Sequence, residues 1–389
     1  MQTMDKEERI QVLTDLIKIN SVNGNELEVA TYLKALFAKH NIEAMIDAFG
    51  DKRANLIVEL NPQASGPILG LTGHMDTVDL VNEAKWQSNP FEPRIDGDKL
   101  YGRGSADMKS GLAAEVIALI ELVESGQVTG HVRFLATAGE EYGTPGANRL
   151  EAQDYAADLA ALVVGEPTGG DIVYAHSGSL NYRVKSYGQA VHSSRPEEGK
   201  NAITGLVKFY VAEQELFNNA PKDPYLGEIK HSITVIEGGK QVNIIPAEAK
   251  LEGNIRPTKA FSNEEVINLL KSLVTKLNQD EDTHLEFELI HNFYPVVTSP
   301  DNSFIKAGLD ATTEAFAHLR EPKLRIINGA TDASVFVKRR PDLPVFILGP
   351  DKWELAHQIN EYTTISSYLA VIEAYKNIIL NFWLFVKSC

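Results

Sequence analysis

Leu69-Gly70-Leu71-Thr72-Gly73-His74-Met75-Asp76 decides the fold. A short apolar run ends on glycine, histidine and aspartate, the form of a buried strand that delivers functional groups at its carboxyl end. The pattern recurs along the chain. Val132 to Ala136 leads into Gly139-Glu140-Glu141, Ala161 to Val164 into Gly165-Glu166-Pro167, and Val345 to Leu348, across a short loop, to His357. Between these runs lie helix-period segments at Lys6 to Asn20, Asn25 to His40 and Lys109 to Ser125. Continuous apolar strands alternating with amphipathic helices predict an α/β fold, a parallel or mixed sheet flanked by helices on both faces. Side chains at the carboxyl ends of such strands gather along one edge, so groups far apart in sequence can meet there.

From about Ser177 the texture changes. A strand (Leu180 to Ser186), a helix (Ala202 to Phe217), strands at Ser232 to Ile236 and Ala247 to Ile255, a helix (Asn263 to Leu277) and a strand (His284 to Ile290) follow in turn. The order βαββαβ predicts a ferredoxin-like α+β domain inserted into the first. After about Phe293 the α/β texture resumes, with a helix at Ser303 to His318, a strand at Val345 to Leu348 and a helix at Ser366 to Leu380. The predicted division is therefore a metal-binding catalytic domain from residues 1–176 and 294–389, and an inserted domain from residues 177–293. A cleft at such a junction is a common place for a ligand. Phe382, Trp383, Leu384 and Phe385 fall beyond a last helix that reads as complete, and the sequence gives them no role.

With 37 Lys+Arg against 53 Asp+Glu, the net charge of −16 disfavours nucleic acid and anionic membrane as partners. The longest apolar run is too short to span a membrane, and Met1 to Lys18 reads as a charged amphipathic helix instead of a signal peptide. Cys389 is the only cysteine, which excludes an intramolecular disulfide and a cysteine zinc site. These features predict a cytoplasmic protein.

A further acidic residue, Asp107, sits in Tyr101-Gly-Arg-Gly-Ser-Ala-Asp-Met-Lys-Ser-Gly111, just before a helix. The glycines suggest a phosphate cradle, but the stretch has neither the Walker spacing nor the dinucleotide fingerprint. Two imidazoles and several carboxylates without cysteine instead form a mixed N/O set suited to Zn²⁺, with Co²⁺ or Mn²⁺ compatible with the same ligands. Enough carboxylates are present to hold two ions, one of them bridging, and a carboxylate off the metal can carry the water's proton. Adjacent Glu140 and Glu141 can supply one base and one ligand. Asp76, two residues past His74, has the spacing to receive its ring N–H. Taken singly, each of these residues is more often a cap, a surface charge or a satisfied buried group; their joint placement after strands argues for a site.

At these residues the chain resembles the metallopeptidase and amidohydrolase family of succinyl-diaminopimelate desuccinylase, acetylornithine deacetylase, aminoacylase and glutamate carboxypeptidase. The matching segments are Gly73-His-Met-Asp-Thr-Val78, Trp86 with Pro90-Phe91, Leu100 to Gly111, Ala138-Gly-Glu-Glu141, Gly165-Glu-Pro167 and His192. Asn243 with Ile245-Pro246, Asn254 with Arg256-Pro257, Gly329-Ala-Thr-Asp332 and His357 continue the match, in order, over nearly the whole chain. The resemblance implies a zinc-peptidase-like catalytic domain with one zinc on His74 and Glu166, a second on Glu141 and His357, and Asp107 bridging. It implies Glu140 as general acid/base, Asp76 as the partner of His74, and a cis peptide between Asp107 and Met108.

The same resemblance implies that His192 reaches the active site of a second copy to stabilise the oxyanion, and hence a homodimer joined through the inserted domains. Arg256 is similar to the family arginine that grips the substrate carboxylate, a task its planar fork suits. Asn243, Gly329 and Thr331 are the remaining expected substrate contacts, although Ala330 departs from the double glycine common there. The other seven histidines, His40, His131, His176, His231, His284, His291 and His318, are expected at surface or strand positions.

The leading functional reading is removal of an acyl group from an N-acyl amino acid, N-succinyl-LL-diaminopimelate first and acetylornithine next. Glu166 in place of aspartate resembles the deacylase and carboxypeptidase side of the family. Competing readings are a dipeptidase or carboxypeptidase, which differs only in pocket shape, and an inactive metal-binding scaffold, which would not need Glu140.

Overall fold

Four parallel strands form the middle of the larger sheet: Val132–Thr137, Ile68–His74, Leu159–Val164 and Val345–Ile347 lie side by side in that order. Register pairs His74 with Thr137 and Thr72 with Val164, so the carboxyl ends of three strands stop at nearly one level. The computed structural model describes residues 4–386. The sheet continues antiparallel on one side through Arg53–Leu60 to Ala44–Phe49, and on the other from Val345–Ile347 to Ile172–His176, beside which Val296–Val297 and Leu324–Ile327 pair. It is thus the mixed, helix-flanked sheet expected from the apolar runs. Val132–Thr137 is buried at every position, as a strand covered on both faces must be.

Helices cover this sheet. Lys109–Glu124 is buried from Lys109 through Leu122, as a helix packed against the protein on all sides is, even though the stretch includes Lys109, Glu115 and Glu121. Lys6–Lys18 starts with a capping box: the Asp5 carboxylate accepts from the Glu8 N–H and the Glu8 carboxylate from the Asp5 N–H, each at 2.8 Å. A three-stranded sheet of Arg94–Asp96, Lys99–Tyr101 and Tyr362–Thr364 adds to the same unit.

The last helix runs Ile365–Val386, beyond the end expected at Leu380. The reason is packing. Phe382 is buried in the core and meets Phe304 edge-on at 5.9 Å between ring centroids, while Trp383 donates its indole N–H to the Pro67 carbonyl at 3.0 Å. Gly130 leaves room for that indole, since a Cβ there would stand 2.1 Å from it. Part of the apolar tail therefore belongs to the core; Cys389 lies outside the described residues. Phe382→Ala is expected to destabilise the protein by about 3–5 kcal/mol, read as a lower denaturant midpoint at unchanged slope; a midpoint equal to wild type would remove Phe382 from the core's stabilising set.

The chain divides into two compact units, one holding residues up to Tyr174 with Val297–Arg325 and the segment from Thr331, the other Ala175–Val296 with Ile326–Ala330. Gly329 thus groups with the second unit. That unit carries a four-stranded antiparallel sheet ordered Lys230–Gly238, Glu248–Arg256, Ser179–Tyr187, His284–Phe293. Strict alternation on Ser179–Tyr187 sends Leu180, Tyr182 and Val184 to one face, where Leu206 and Phe209 of helix Ala202–Glu213 and Val266 and Leu270 of helix Asn263–Leu277 complete a separate core. Chain order βαββαβ and this strand order make it ferredoxin-like. Among the described residues no helix is long and apolar enough to cross a membrane.

Candidate metal centre

His74 closes its strand with its side chain almost wholly buried. Its Nε2 lies 3.0 Å from Asp107 Oδ1 and 3.6 Å from Glu166 Oε1. Its Nδ1 lies 3.0 Å from the main-chain oxygen of Asp76 and 3.6 Å from that residue's carboxylate. The Asp76 carboxylate is largely engaged elsewhere: Oδ1 accepts from the N–H of Gly139 at 2.8 Å and of Glu140 at 3.0 Å, and Oδ2 from Glu141 at 3.2 Å. Asp76 therefore supports His74 mainly through its carbonyl and anchors the Glu140-Glu141 turn with its side chain. Gly139 allows that turn, having φ +76° and no space for a Cβ, which would stand 2.5 Å from the Arg53 guanidinium.

Asp107 sits just ahead of helix Lys109–Glu124, and the Asp107–Met108 peptide is cis. Its second oxygen, Oδ2, is 3.3 Å from His357 Nε2, which is itself 2.8 Å from Glu141 Oε1. One carboxylate thus faces two histidines from opposite ends of the chain. Two groups able to hold a cation result, His74-Asp107-Glu166 and Asp107-Glu141-His357, with the ligand atoms of each within 4.8 Å of one another. Tetrahedral ligands held at about 2.0–2.1 Å from Zn²⁺ stand roughly 3.3 Å apart, so these spacings suit a pair of ions sharing Asp107. Glu140 belongs to neither group.

The electrostatics ask for positive charge. Burial, then Asp107, pushes the carboxyls of Glu166 and Glu141 above the ordinary range, and burial with Glu166 does the same to Glu140. Burial also acts against Asp107, but hydrogen bonds from His357 and His74 outweigh it and hold that carboxyl low. For His74 burial opposes the charge, yet Glu166, Asp107 and Asp76 raise its pKa well above normal. His357 is pushed up to about 10 by Asp107 and Glu141. Among the described residues, Glu166 Oε2 is buried with no hydrogen-bond partner. A buried carboxylate oxygen without a donor is costly, and a metal would satisfy it.

Two residues with no expected role stand behind this cluster. Glu361 is buried and accepts from the main chain of the Asp107 loop, and Arg103 inside the glycine-rich motif is its ion-pair partner at 2.6 Å. Thr331 is buried, and the adjacent Asp332 accepts from Thr137 Oγ1 at 2.5 Å; burial raises the Asp332 carboxyl to about 7. None of the seven other histidines joins either group among the described residues. His40, His131 and His231 instead meet Glu124, Glu59 and Glu213 at 2.8, 2.5 and 2.7 Å.

His192, Asn243, Arg256 and Gly329 belong to the second unit. There the His192 and Asn243 segments run side by side: Ser193 N–H donates to the Asn243 carbonyl at 3.0 Å, and Ile245 N–H to Val191 at 2.9 Å. The exposed His192 ring meets Ser194 Oγ at 2.8 Å. Arg256 ends its strand half-buried, with its pKa lowered by burial and no ion-pair partner among the described residues.

Residues 70–381 match the sequence model described as Peptidase family M20/M25/M40. A probable succinyl-diaminopimelate desuccinylase of Staphylococcus aureus (strain MRSA252) is 36% identical over 405 residues, covering 97% of this chain and 98% of that protein. Among solved structures, the M20 family metallo-carboxypeptidase Sso-CP2 from Sulfolobus solfataricus gives a TM-score of 0.79 at 21% identity, covering 97% of this chain and 99% of its own. Aminopeptidase PepT from Bacillus cereus ATCC 10987 gives 0.76 at 22%, with coverage of 97% and 98%. At these identities the two structures speak to the fold.

Proposed function

Since the chain belongs to peptidase family M20/M25/M40 and is a hydrolase acting on amide bonds, we propose that it is a two-metal deacylase of N-acyl amino acids, with N-succinyl-LL-diaminopimelate as preferred substrate. The observation that carries this reading is Asp107, whose two oxygens face His74 and His357 in two candidate ligand groups. His74, Asp107 and Glu166 would hold one ion and Asp107, Glu141 and His357 the other. Zn²⁺ there, or Co²⁺ or Mn²⁺, supplies an acidified water and a polarised acyl carbonyl. Glu140 takes the proton of the attacking water and returns it to the leaving amide nitrogen, so the acyl carbon gains hydroxyl and the amine leaves neutral. Asp76 holds the Glu140 main chain in place for this transfer.

Arg256 is free to meet a substrate carboxylate, with Asn243, Gly329 and Thr331 as further contacts and His192 as a donor to the developing oxyanion. For that histidine we propose a homodimer through the inserted unit. Support comes from helix Ala202–Glu213, which leaves Val207, Tyr210 and Val211 exposed, and from edge strand Lys230–Gly238, which leaves Ile236 exposed. An apolar helix face beside an unpaired strand edge invites a second copy. The single cysteine fits a cytoplasmic location.

The name of the S. aureus relative favours the succinyl substrate, and a dipeptide is the competing substrate. Succinate release from N-succinyl-LL-diaminopimelate, measured with Zn²⁺ or Co²⁺ supplied, is expected to exceed turnover of N-acetylornithine and of dipeptides. No release while another N-acyl amino acid is hydrolysed rejects the substrate and keeps the class. Faster cleavage of dipeptides moves the reading to a peptidase.

A further inference from the structure

Glu361 is an acidic residue with no place among the ligands, yet its carboxylate is fully engaged. Oε1 accepts from the N–H of Ala106 at 2.8 Å and of Asp107 at 2.9 Å; Oε2 accepts from the N–H of Gly104 at 3.1 Å and from Arg103 Nη1 at 2.6 Å. The Glu361 carbonyl also accepts from Gly102 N–H at 3.1 Å. Every one of these donors lies on the short loop that ends at the bridging carboxylate. Arg103 carries the connection onward: Nη2 donates to the Asp79 carbonyl at 3.0 Å and Nη1 to the Gln358 carbonyl at 3.4 Å, with the guanidinium 5.0 Å from the Trp86 ring. Three segments are thereby tied at one buried pair: the one after His74, the one before Asp107, and the one running from His357 to Glu361. His357 itself has φ +63°, a backbone conformation that a non-glycine residue keeps only when its surroundings hold it there.

We propose that Glu361, through Arg103, is a positioning residue that presets the Asp107 and His357 segments, and so sets the affinity for the cation held by Asp107, Glu141 and His357. The proposal rests on the two-metal reading above. The side-chain hydrogen bonds of Glu361 go to main-chain N–H groups and to Arg103, so its removal leaves all five ligands in the sequence but their loops unpinned. Outer partners of metal ligands are worth about 10–100-fold in affinity. Glu361→Gln is the sharp substitution, because an amide NH₂ placed toward Arg103 and Gly104 offers a donor where both neighbours already donate. Glu361→Asp keeps the charge on a shorter arm, and Arg103→Lys keeps the cation without the fork. Glu121, which pairs with Arg9 at 2.8 Å far along the sequence and is equally buried, supplies the control for breaking a buried ion pair as such.

Zn²⁺ or Co²⁺ is titrated into each metal-free full-length protein, following binding by calorimetry and, for Co²⁺, by its visible absorption, with metal-free Tm measured alongside. Wild type is expected to bind two ions, and Glu361→Gln to bind the second about 10–100-fold more weakly. Glu361→Asp and Arg103→Lys should fall between, Glu121→Gln should bind both ions as wild type does, and kcat of Glu361→Gln should recover at saturating metal. Wild-type affinity for both ions in Glu361→Gln overturns the positioning role alone, as does an equal loss in Glu121→Gln at matched metal-free Tm. If Glu361→Gln does not fold, unchanged second-ion affinity in both Glu361→Asp and Arg103→Lys overturns it instead. Fewer than two ions on wild type overturns the two-metal reading, and this inference with it.

Discussion

Glu140→Gln is expected to leave both metals bound and to lower kcat by about 10²–10⁴-fold, the range that a positioned general acid/base supplies. The substitution is close to isosteric and changes one property, the capacity to take and return a proton. It should not disturb the cluster by other routes. Glu140 is outside both ligand groups, and what places it is its main-chain N–H, 3.0 Å from Asp76 Oδ1, which an amide side chain leaves untouched. Its neighbour Glu141 lies 2.8 Å from His357, so of the two consecutive carboxylates only Glu141 belongs to a candidate ligand group. Metal content measured by mass spectrometry together with kcat on an N-acyl amino acid decides the matter. A rate equal to wild type at full metal occupancy would exclude Glu140 as the base. Loss of a metal with the activity would make it a ligand instead. An inactive scaffold, the competing reading of the sequence, would show no turnover in wild type at all.

The fold was legible wherever burial imposes a period. Runs such as Val132–Thr137, and the alternation on Ser179–Tyr187, are long enough to show which faces are covered. Helix Asn263–Leu277 has the bounds expected from its period, and the structure adds a capping box of Ser262 and Glu265 at its start. Strands of three residues, Arg94–Asp96, Lys99–Tyr101 and Tyr362–Thr364, carry no period to read, and helix Pro145–Ala152 is too short to stand out. The last helix extends past Leu380 because Phe304 and Pro67 receive Phe382 and Trp383, partners distant in sequence that no local pattern announces.

Within the site, the convergence of His74, Asp107, Glu141, Glu166 and His357 follows from their places after parallel strands or at a helix start, a local signal. Glu361 and Arg103 gave no such signal. Apart from each other, their hydrogen-bond partners are main-chain groups, several of them more than 250 positions away, and nothing near either residue announces the pair. Asp76 is an intermediate case. Its spacing from His74 pointed to that ring, but the three N–H groups that occupy its carboxylate come from a turn more than sixty residues away.

Asp107→Ala is expected to bind at most one metal. Each proposed ion has three protein ligands, of which Asp107 is common to both sets; without it, His74 with Glu166 and Glu141 with His357 remain as separate pairs. Two ligands fall below the three that catalytic zinc sites keep. The geometry adds a second cost, because His74 Nε2 at 3.0 Å and His357 Nε2 at 3.3 Å both lose the acceptor that now orients them. Water activation and carbonyl polarisation are each worth several kcal/mol in such sites, and at about 1.4 kcal/mol per tenfold the loss of one ion should lower turnover by more than about 10³-fold. The metal-to-protein ratio after gel filtration in excess Zn²⁺ is the direct readout, with kcat as the second. Two ions retained by Asp107→Ala would mean that the histidine groups bind independently, and the bridge on which the catalytic proposal stands would have to be given up.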